Sequence, residues 1–250
     1  MEVAGRVAVV TGGAAGLGLV IARRLAVEGG LVVVADVDDR AGFEAVSSMG
    51  SSAAFVRADT RVGSDVERMI AFAVERFGGL DVLVNNAGGW GAANFPAATP
   101  LDWGATLDLN LRAPMLATQL ALEPMRSRGG GAVVNVASTA GLGLAPYASP
   151  EYGAAKAGLI RFTASVAGLR EEMGVRVNCV VPDWIGLDRA HAELAAMSPV
   201  ARASAPPFVD PDDVAETVLW FARDDSLAGR VVVMRGGEPR RLLETGTEES

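Results

Sequence analysis

The sequence predicts an α/β fold, a doubly wound seven-stranded parallel sheet with helices on both faces, in a single domain over residues 1–243. Three observations carry this. Seven short runs rich in Val and Leu recur along the chain, with helix-length segments between them. The runs are near-continuous rather than alternating, the pattern of strands covered on both faces. Across 250 residues, 50% of them hydrophobic, there is no internal repeat and no Pro/Ser-rich linker, so one large core is expected.

In order, the strands are expected at RVAVVT (6–11), LVVVAD (31–36), AAFVRAD (53–59), LDVLVNN (80–86), AVVNVAS (132–138), VRVNCVV (175–181) and RVVVMR (230–235). The segments between them read as amphipathic helices. In SDVERMIAFAVERFG (64–78), Ser64 and Glu67 have capping-box spacing, and Gly78 suits the helix end. Val66, Met69, Ile70, Ala73, Val74 and Phe77 then form the stripe that lies on the sheet. The short, polar, acidic tail 244–250 is expected to be disordered.

The formal charge of −8 and the absence of basic runs argue against a nucleic-acid partner, because phosphate binding needs clustered cations. No stretch is apolar enough to span a bilayer, and the start MEVAGRVAVV lacks a signal-peptide pattern, so a cytoplasmic protein with no membrane partner is expected. Cys179, the single cysteine, reads as a small buried hydrophobe in a strand. No cluster of His, Cys, Asp and Glu has ligand spacing, so no metal is expected.

The first candidate site is VAVVTGGAAGLGLVIARRLA, which places Gly12, Gly16 and Gly18 between the first strand and first helix. Glycines there let the backbone turn sharply, approach a pyrophosphate closely and aim helix N–H groups at the anion. The second strand ends in Asp36, 18 residues after Gly18, near the spacing at which a carboxylate accepts both hydroxyls of an adenosine ribose. That favours NAD over NADP, whose 2′-phosphate it would repel. Arg40 is the nearest cation in sequence, and a solvated strand-end acid is the competing reading of Asp36.

The glycine spacing T-G-x-x-x-G-x-G from Thr11 to Gly18 resembles the cofactor loop of the short-chain dehydrogenase/reductase family. Further family landmarks follow in order: ADT (58–60), NNAG (85–88), LNL (109–111), NVAS (135–138) and Y-x-x-x-K at 152–156. The resemblance covers residues 5 to 237 and implies a Rossmann fold. It also implies cofactor contacts at Gly12, Gly16, Leu17, Gly18, Asp36, Val37, Asp59, Thr60, Asn86, Ala87, Gly88, Tyr152, Lys156, Pro182 and Ile185.

Among 22 basic residues Lys156 is the only lysine, and it stands four positions after Tyr152, one of two tyrosines. Residues four apart share a helix face. A tyrosine with a pKa of about 10 is a poor base at neutral pH, and a neighbouring ammonium stabilises its phenolate. Arginine's broad fork replaces a compact ammonium poorly. By resemblance, Tyr152 exchanges the hydroxyl proton during hydride transfer between nicotinamide and a secondary alcohol or ketone. Lys156 tunes Tyr152, Ser138 polarises the substrate oxygen, and Asn110 holds a water in a proton relay. Thr139 is the rival of Ser138 if the register is off by one.

The pattern is broken after the sixth strand. In VVPDWIGLDRA, Asp183 stands at the family's usual glycine and Leu187 at a threonine that contacts the carboxamide. Segment 186–208 resembles a substrate lid, and its histidine, His191, is given no role. Trp90, Leu142, Leu144, Tyr147 and Trp184 are candidate walls of an apolar or aromatic pocket, each also readable as a packing residue. The final strand and Gly-Gly resemble a subunit interface of the family, which implies a homotetramer or homodimer. A non-redox catalyst or a protein without turnover, on the same fold and cofactor, is the alternative function.

Overall fold

The computed structural model describes residues 1–91, 94–143 and 147–244. The chain runs β1 (Val7–Thr11), α1 (Gly16–Val27), β2 (Leu31–Asp36), α2 (Asp39–Met49), β3 (Ala53–Arg57), α3 (Gly63–Phe77) and β4 (Val82–Asn85). It continues through α4 (Pro100–Leu107), α5 (Ala113–Ser127), β5 (Gly131–Val136), α6 (Pro150–Ser165), α7 (Leu169–Met173) and β6 (Val175–Pro182). The last part comprises α8 (Asp188–Ala196), α9 (Pro199–Ala203), α10 (Pro211–Arg223), β7 (Val231–Met234) and β8 (Arg241–Leu242). Leu144 and all of the predicted tail except residue 244 lie outside the described residues.

The sheet has the order β3-β2-β1-β4-β5-β6-β7-β8, with β1 to β7 parallel. It therefore has eight strands rather than seven. The eighth, only two residues long, runs antiparallel to β7 and pairs Val232 with Leu242 and Val233 with Arg241. Both its residues are exposed, so no buried periodicity marks it in the sequence. It covers part of an otherwise open edge.

Alternate residues of each central strand face opposite layers. Ala8, Val10, Val32, Val34, Val82 and Val84 pack with Ile21 and Leu25 of α1 and with Val218 and Phe221 of α10. Val7, Val9, Val33 and Leu83 pack with Met69 and Ile70 of α3 and with Ala121 and Met125 of α5. Two hydrophobic layers on one sheet explain why the strands read as unbroken apolar runs.

Helix α3 starts at Gly63, a residue earlier than expected, and its N-cap is Val62 without a side-chain bond. Ser64 thus lies inside the first turn and cannot cap, so the expected capping box is absent. Gly78 ends the helix at φ 84°, left-handed as glycine permits.

Asp81 locks the opposite edge of the sheet from the site. Its fully buried carboxylate accepts from the Val7 N–H at 2.8 Å, from Arg6 at 3.1 Å and from Arg128 at 3.0 Å through each of two nitrogens. Burial opposes its ionisation, but the Arg128 and Arg6 guanidinium groups and the Val7 amide outweigh that and hold the carboxyl below its usual range.

Candidate active site

Parallel strands deliver their C-terminal ends to one edge, and the strand order reverses between β1 and β4, so the loops after these strands diverge and open a crevice. The β1–α1 loop lines it. Gly12 and Gly16 have φ of +62° and +52°. A Cβ on Gly18 would lie 2.0 Å from the Gly12 oxygen and 2.6 Å from Asn86 Nδ2, so only glycine fits. The N-cap Ala15 supplies no side-chain acceptor, and the first turn of α1 carries no acid. Its N–H groups and the helix dipole are therefore available to an anion.

The loop after β4 braces this cradle. The Asn86 and Ala87 amides both donate to Thr11 Oγ1 at 3.0 Å, while Asn86 Nδ2 donates to the Thr11 oxygen at 2.9 Å and the Gly12 oxygen at 3.2 Å. The Asp36 carboxylate accepts from Ala14 N at 3.1 Å and from Val37 N at 2.7 Å, which places it beside the glycine loop. Leu17 and Thr60 are buried, and Val37 is half-exposed. Arg61 grips the Asp59 carboxylate and holds its pKa low. A glycine cradle with free helix amides and a carboxylate at the end of β2 fits a dinucleotide.

Asn110 lies in a wide turn joining α4 to α5, where the Ala113 N–H reaches the oxygen of Asp108, five residues back. Its fully buried amide donates to the Gly89 oxygen at 2.6 Å and the Thr106 oxygen at 2.8 Å, and accepts from Gly89 N at 3.1 Å. A Cβ on Gly88 would meet Asn110 Oδ1 at 2.9 Å and Lys156 Nζ at 3.1 Å. Asn110, Gly88 and Lys156 thus share one small space.

Tyr152 and Lys156 both lie on α6, with the ammonium 5.5 Å from the centre of the phenol ring. Lys156 is buried and donates to the Val136 oxygen at 2.8 Å. Burial pushes its pKa down to about 8, opposed by the nearby Cys179. Burial likewise pushes Tyr152 up to about 12, against the hydrogen bond from Ser138 and, more weakly, the Arg189 charge. Among the chain's own groups the cost of burying the phenolate dominates.

Ser138 follows β5 and accepts from the Ala140 amide at 3.2 Å. Thr139 donates its hydroxyl to Asp183 Oδ1 at 2.9 Å. The two hydroxyls are thus distinguished: Thr139 is held by an acid, and Ser138 lines the cleft with Tyr152 and favours its ionised form.

Both open into a cleft of about 680 Å³, walled by Trp90, Tyr147, Tyr152 and Trp184 and covered by α8 and α9. The Trp90 ring centre lies 4.7 Å from that of Tyr152, and Tyr147 stacks on Tyr152 at 6.1 Å. Trp184 lines the cleft while packing on Phe208 at 4.6 Å, so it serves as both wall and packing residue. Leu142 instead packs against the core around Leu159 and Val181 and does not line the cleft. Its place just after the strand-five hydroxyls suggests a wall, but the short turn Thr139–Gly141 directs it inward.

Pro182 ends β6, and Ile185 pairs with Val209. Leu187 approaches Gly16, its Cδ1 being 3.8 Å from where a Cβ on that glycine would stand. Sequence reading missed Arg189, whose guanidinium lies 5.1 Å over Trp90 and pairs with Glu193 at 2.8 Å. A cation beside an i+4 acid reads as an ordinary solvated helix pair, and only the lid's position brings it to the cleft. Among the described residues no group of three His, Cys, Asp or Glu is placed to hold a metal ion, and no helix is long and apolar enough to cross a membrane.

The family profile described as short chain dehydrogenase matches residues 6–196. The chain is 34% identical to the (2S)-[(R)-hydroxy(phenyl)methyl]succinyl-CoA dehydrogenase subunit BbsD of Thauera aromatica, covering 95% of this chain and 98% of that one. It is 32% identical to the 7alpha-hydroxysteroid dehydrogenase of Bacteroides fragilis, over 93% of each. The solved structure of a protein described as a short-chain dehydrogenase/reductase from Burkholderia xenovorans superposes with a TM-score of 0.83 at 34% identity, over 94% of this chain and 97% of that one. On these matches the chain belongs to the short-chain dehydrogenase/reductase family, oxidoreductases that use a nicotinamide cofactor.

Proposed function

We propose that the protein is an NAD-dependent oxidoreductase interconverting a secondary alcohol and a ketone. The observation that carries this is the convergence of Ser138 and Tyr152 on one aromatic-walled cleft, with Lys156 and Asn110 behind them. Bound nicotinamide would accept or supply the hydride. Ser138 holds the substrate oxygen, and Tyr152 takes or returns its proton. Lys156, tied to Val136, keeps a positive charge beneath the phenol, and Asn110 fixes the Gly89 loop beside it. We read residues 1–243 as one catalytic domain, with 186–208 as its lid.

Asp36 supports NAD over NADP. Arg40, four residues on, and Arg57, opposite Asp36 on β3, form only long surface pairs with Glu44 at 3.8 Å and Asp39 at 3.5 Å, and the support for NAD is the carboxylate itself, which would repel a 2′-phosphate. A second copy of the chain is expected on the apolar groove of about 610 Å³ formed by Leu111, Met115, Leu122 and Phe162, among others. Light scattering tests that assembly, and a monomer overturns it.

Fluorescence titration with NADH and NADPH, followed by ring ketones with the tighter cofactor, tests the activity. Ketone-dependent NADH oxidation that is lost in Tyr152→Phe is the expected result. Tight binding of NADH without turnover of any ketone or alcohol argues for the non-redox alternative.

A further inference from the structure

The cleft holds one feature that the proton-transfer groups do not use, the acid at position 183. The Asp183 main-chain N–H donates to the Met234 oxygen at 2.9 Å, which anchors the residue just beyond β6 against the end of β7. Its Oδ1 accepts the Thr139 hydroxyl at 2.9 Å, and Thr139 follows Ser138 directly. The carboxylate therefore faces the cleft beside the hydroxyl that receives the substrate oxygen.

The charges around it are unbalanced. Among the described residues lining the cleft the acids are Asp183 and Glu193, and Arg189 is the one cation. Arg189 is already paired with Glu193 and stacked on Trp90. Among the described residues Asp183 has no ion-pair partner; at Tyr147 burial raises the phenol's pKa, Arg189 opposes it, and Asp183 and Glu193 both add to it. A carboxylate has four acceptor positions and no donor, and Thr139 occupies one of them.

We infer that Asp183 is a specificity-determining residue, selecting neutral ring alcohols with a second hydroxyl one or two carbons from the reacting carbinol and disfavouring substrates with a carboxylate there. The inference rests on the redox reading above and names its substrate class. Asp183 lines the same cleft as Ser138 and Tyr152 and holds the hydroxyl of the residue next to Ser138, which turns its carboxylate toward a substituent beside the reacting carbinol. Trp90, Tyr147 and Trp184 supply the walls for the ring. A site built to accept a hydroxyl proton disfavours an analogue that lacks it, because the acceptor then loses its partner.

The test compares a vicinal cyclohexane diol, cyclohexanol and the matching hydroxycyclohexane carboxylate as substrates with NAD⁺, in wild type, Asp183→Asn and Asp183→Gly. The Asn variant keeps an oxygen for Thr139 and replaces the charge with an amide. Expected is a wild-type kcat/KM highest for the diol and lowest for the carboxylate. The diol-to-cyclohexanol ratio should fall about tenfold in both variants, mainly through KM, and the carboxylate should gain in Asp183→Asn. A ratio within twofold of wild type in Asp183→Asn, or a wild-type preference for the carboxylate, overturns the assignment. If wild type binds NADH but oxidises none of the three, the turnover of the ketone and alcohol panel decides on the redox reading separately. Quenching of the intrinsic tryptophan fluorescence then decides on Asp183: stronger binding of diol than of carboxylate, lost in Asp183→Asn, supports its role, and equal binding overturns it.

Discussion

Lys156 donates its buried ammonium to the main-chain oxygen of Val136, the last residue of β5, at 2.8 Å. The cation is thereby held by the strand whose next turn carries Ser138, and α6 and β5 are joined at one atom pair. Its pKa, lowered by burial from 10.5 to about 8, makes this link dependent on pH. Between about pH 8 and 10.5 the unfolded chain keeps a proton here that the folded chain has lost, so this group makes stability rise with pH across that window. Below it the cost of burying the charge is fully present. Melting curves of wild type and Lys156→Met at stepped pH should differ by this slope, and parallel curves would contradict the shift. Turnover should be abolished in Lys156→Met.

The division of labour between Ser138 and Thr139 predicts unequal losses. Ser138→Ala should lower kcat by about 100-fold, the scale for losing a donor to a reacting oxygen. Thr139→Ala should cost less than about tenfold, since its hydroxyl is committed to Asp183. Steady-state kinetics of the two variants checks this, and the reverse order would move the reactive hydroxyl by one residue.

Gly18→Ala places a methyl 2.0 Å from the Gly12 oxygen. The β1–α1 loop has to shift to relieve the overlap, at a cost of about 1–3 kcal/mol. NADH affinity should fall by more than about tenfold, because the backbone amides proposed to receive the pyrophosphate would lose their alignment. Calorimetric titration measures it. Unchanged affinity would place the cofactor elsewhere.

Asp81→Asn tests the lock at the far edge of the sheet. Removing the carboxylate from two arginines should cost about 3 kcal/mol at neutral pH, because a buried polar network loses its charge. In wild type the folded pKa is depressed, so this stability is present above the ordinary carboxylate range and is lost as pH falls through the folded value. Urea denaturation should show the gap between wild type and Asp81→Asn narrowing toward low pH. NADH affinity should stay the same, since Asp81 lies at the other end of β4 from the cofactor loop.

Much of this molecule was legible residue by residue. The Val/Leu runs mark all seven parallel strands, because covering both faces of a sheet favours apolar residues on successive positions. The exposed pair Arg241–Leu242 carries no such mark, and the eighth strand went unread. Ser64 and Glu67 matched a capping box by spacing alone, yet α3 begins at Gly63. Helix ends depend on where the preceding chain enters as much as on local residue type.

The same division runs through the site. By itself the sequence determined the glycine cradle and the Tyr152–Lys156 pair, since one is a continuous turn and the other a single helix face with a period of 3.6 residues. Tertiary structure alone decided that Thr139 meets Asp183, 44 positions later, that Lys156 reaches Val136, and that Arg189 stacks over Trp90. Those contacts join different strands, helices and the lid. Their geometry follows from strand order and helix packing across the whole sheet, which no local pattern of residues encodes.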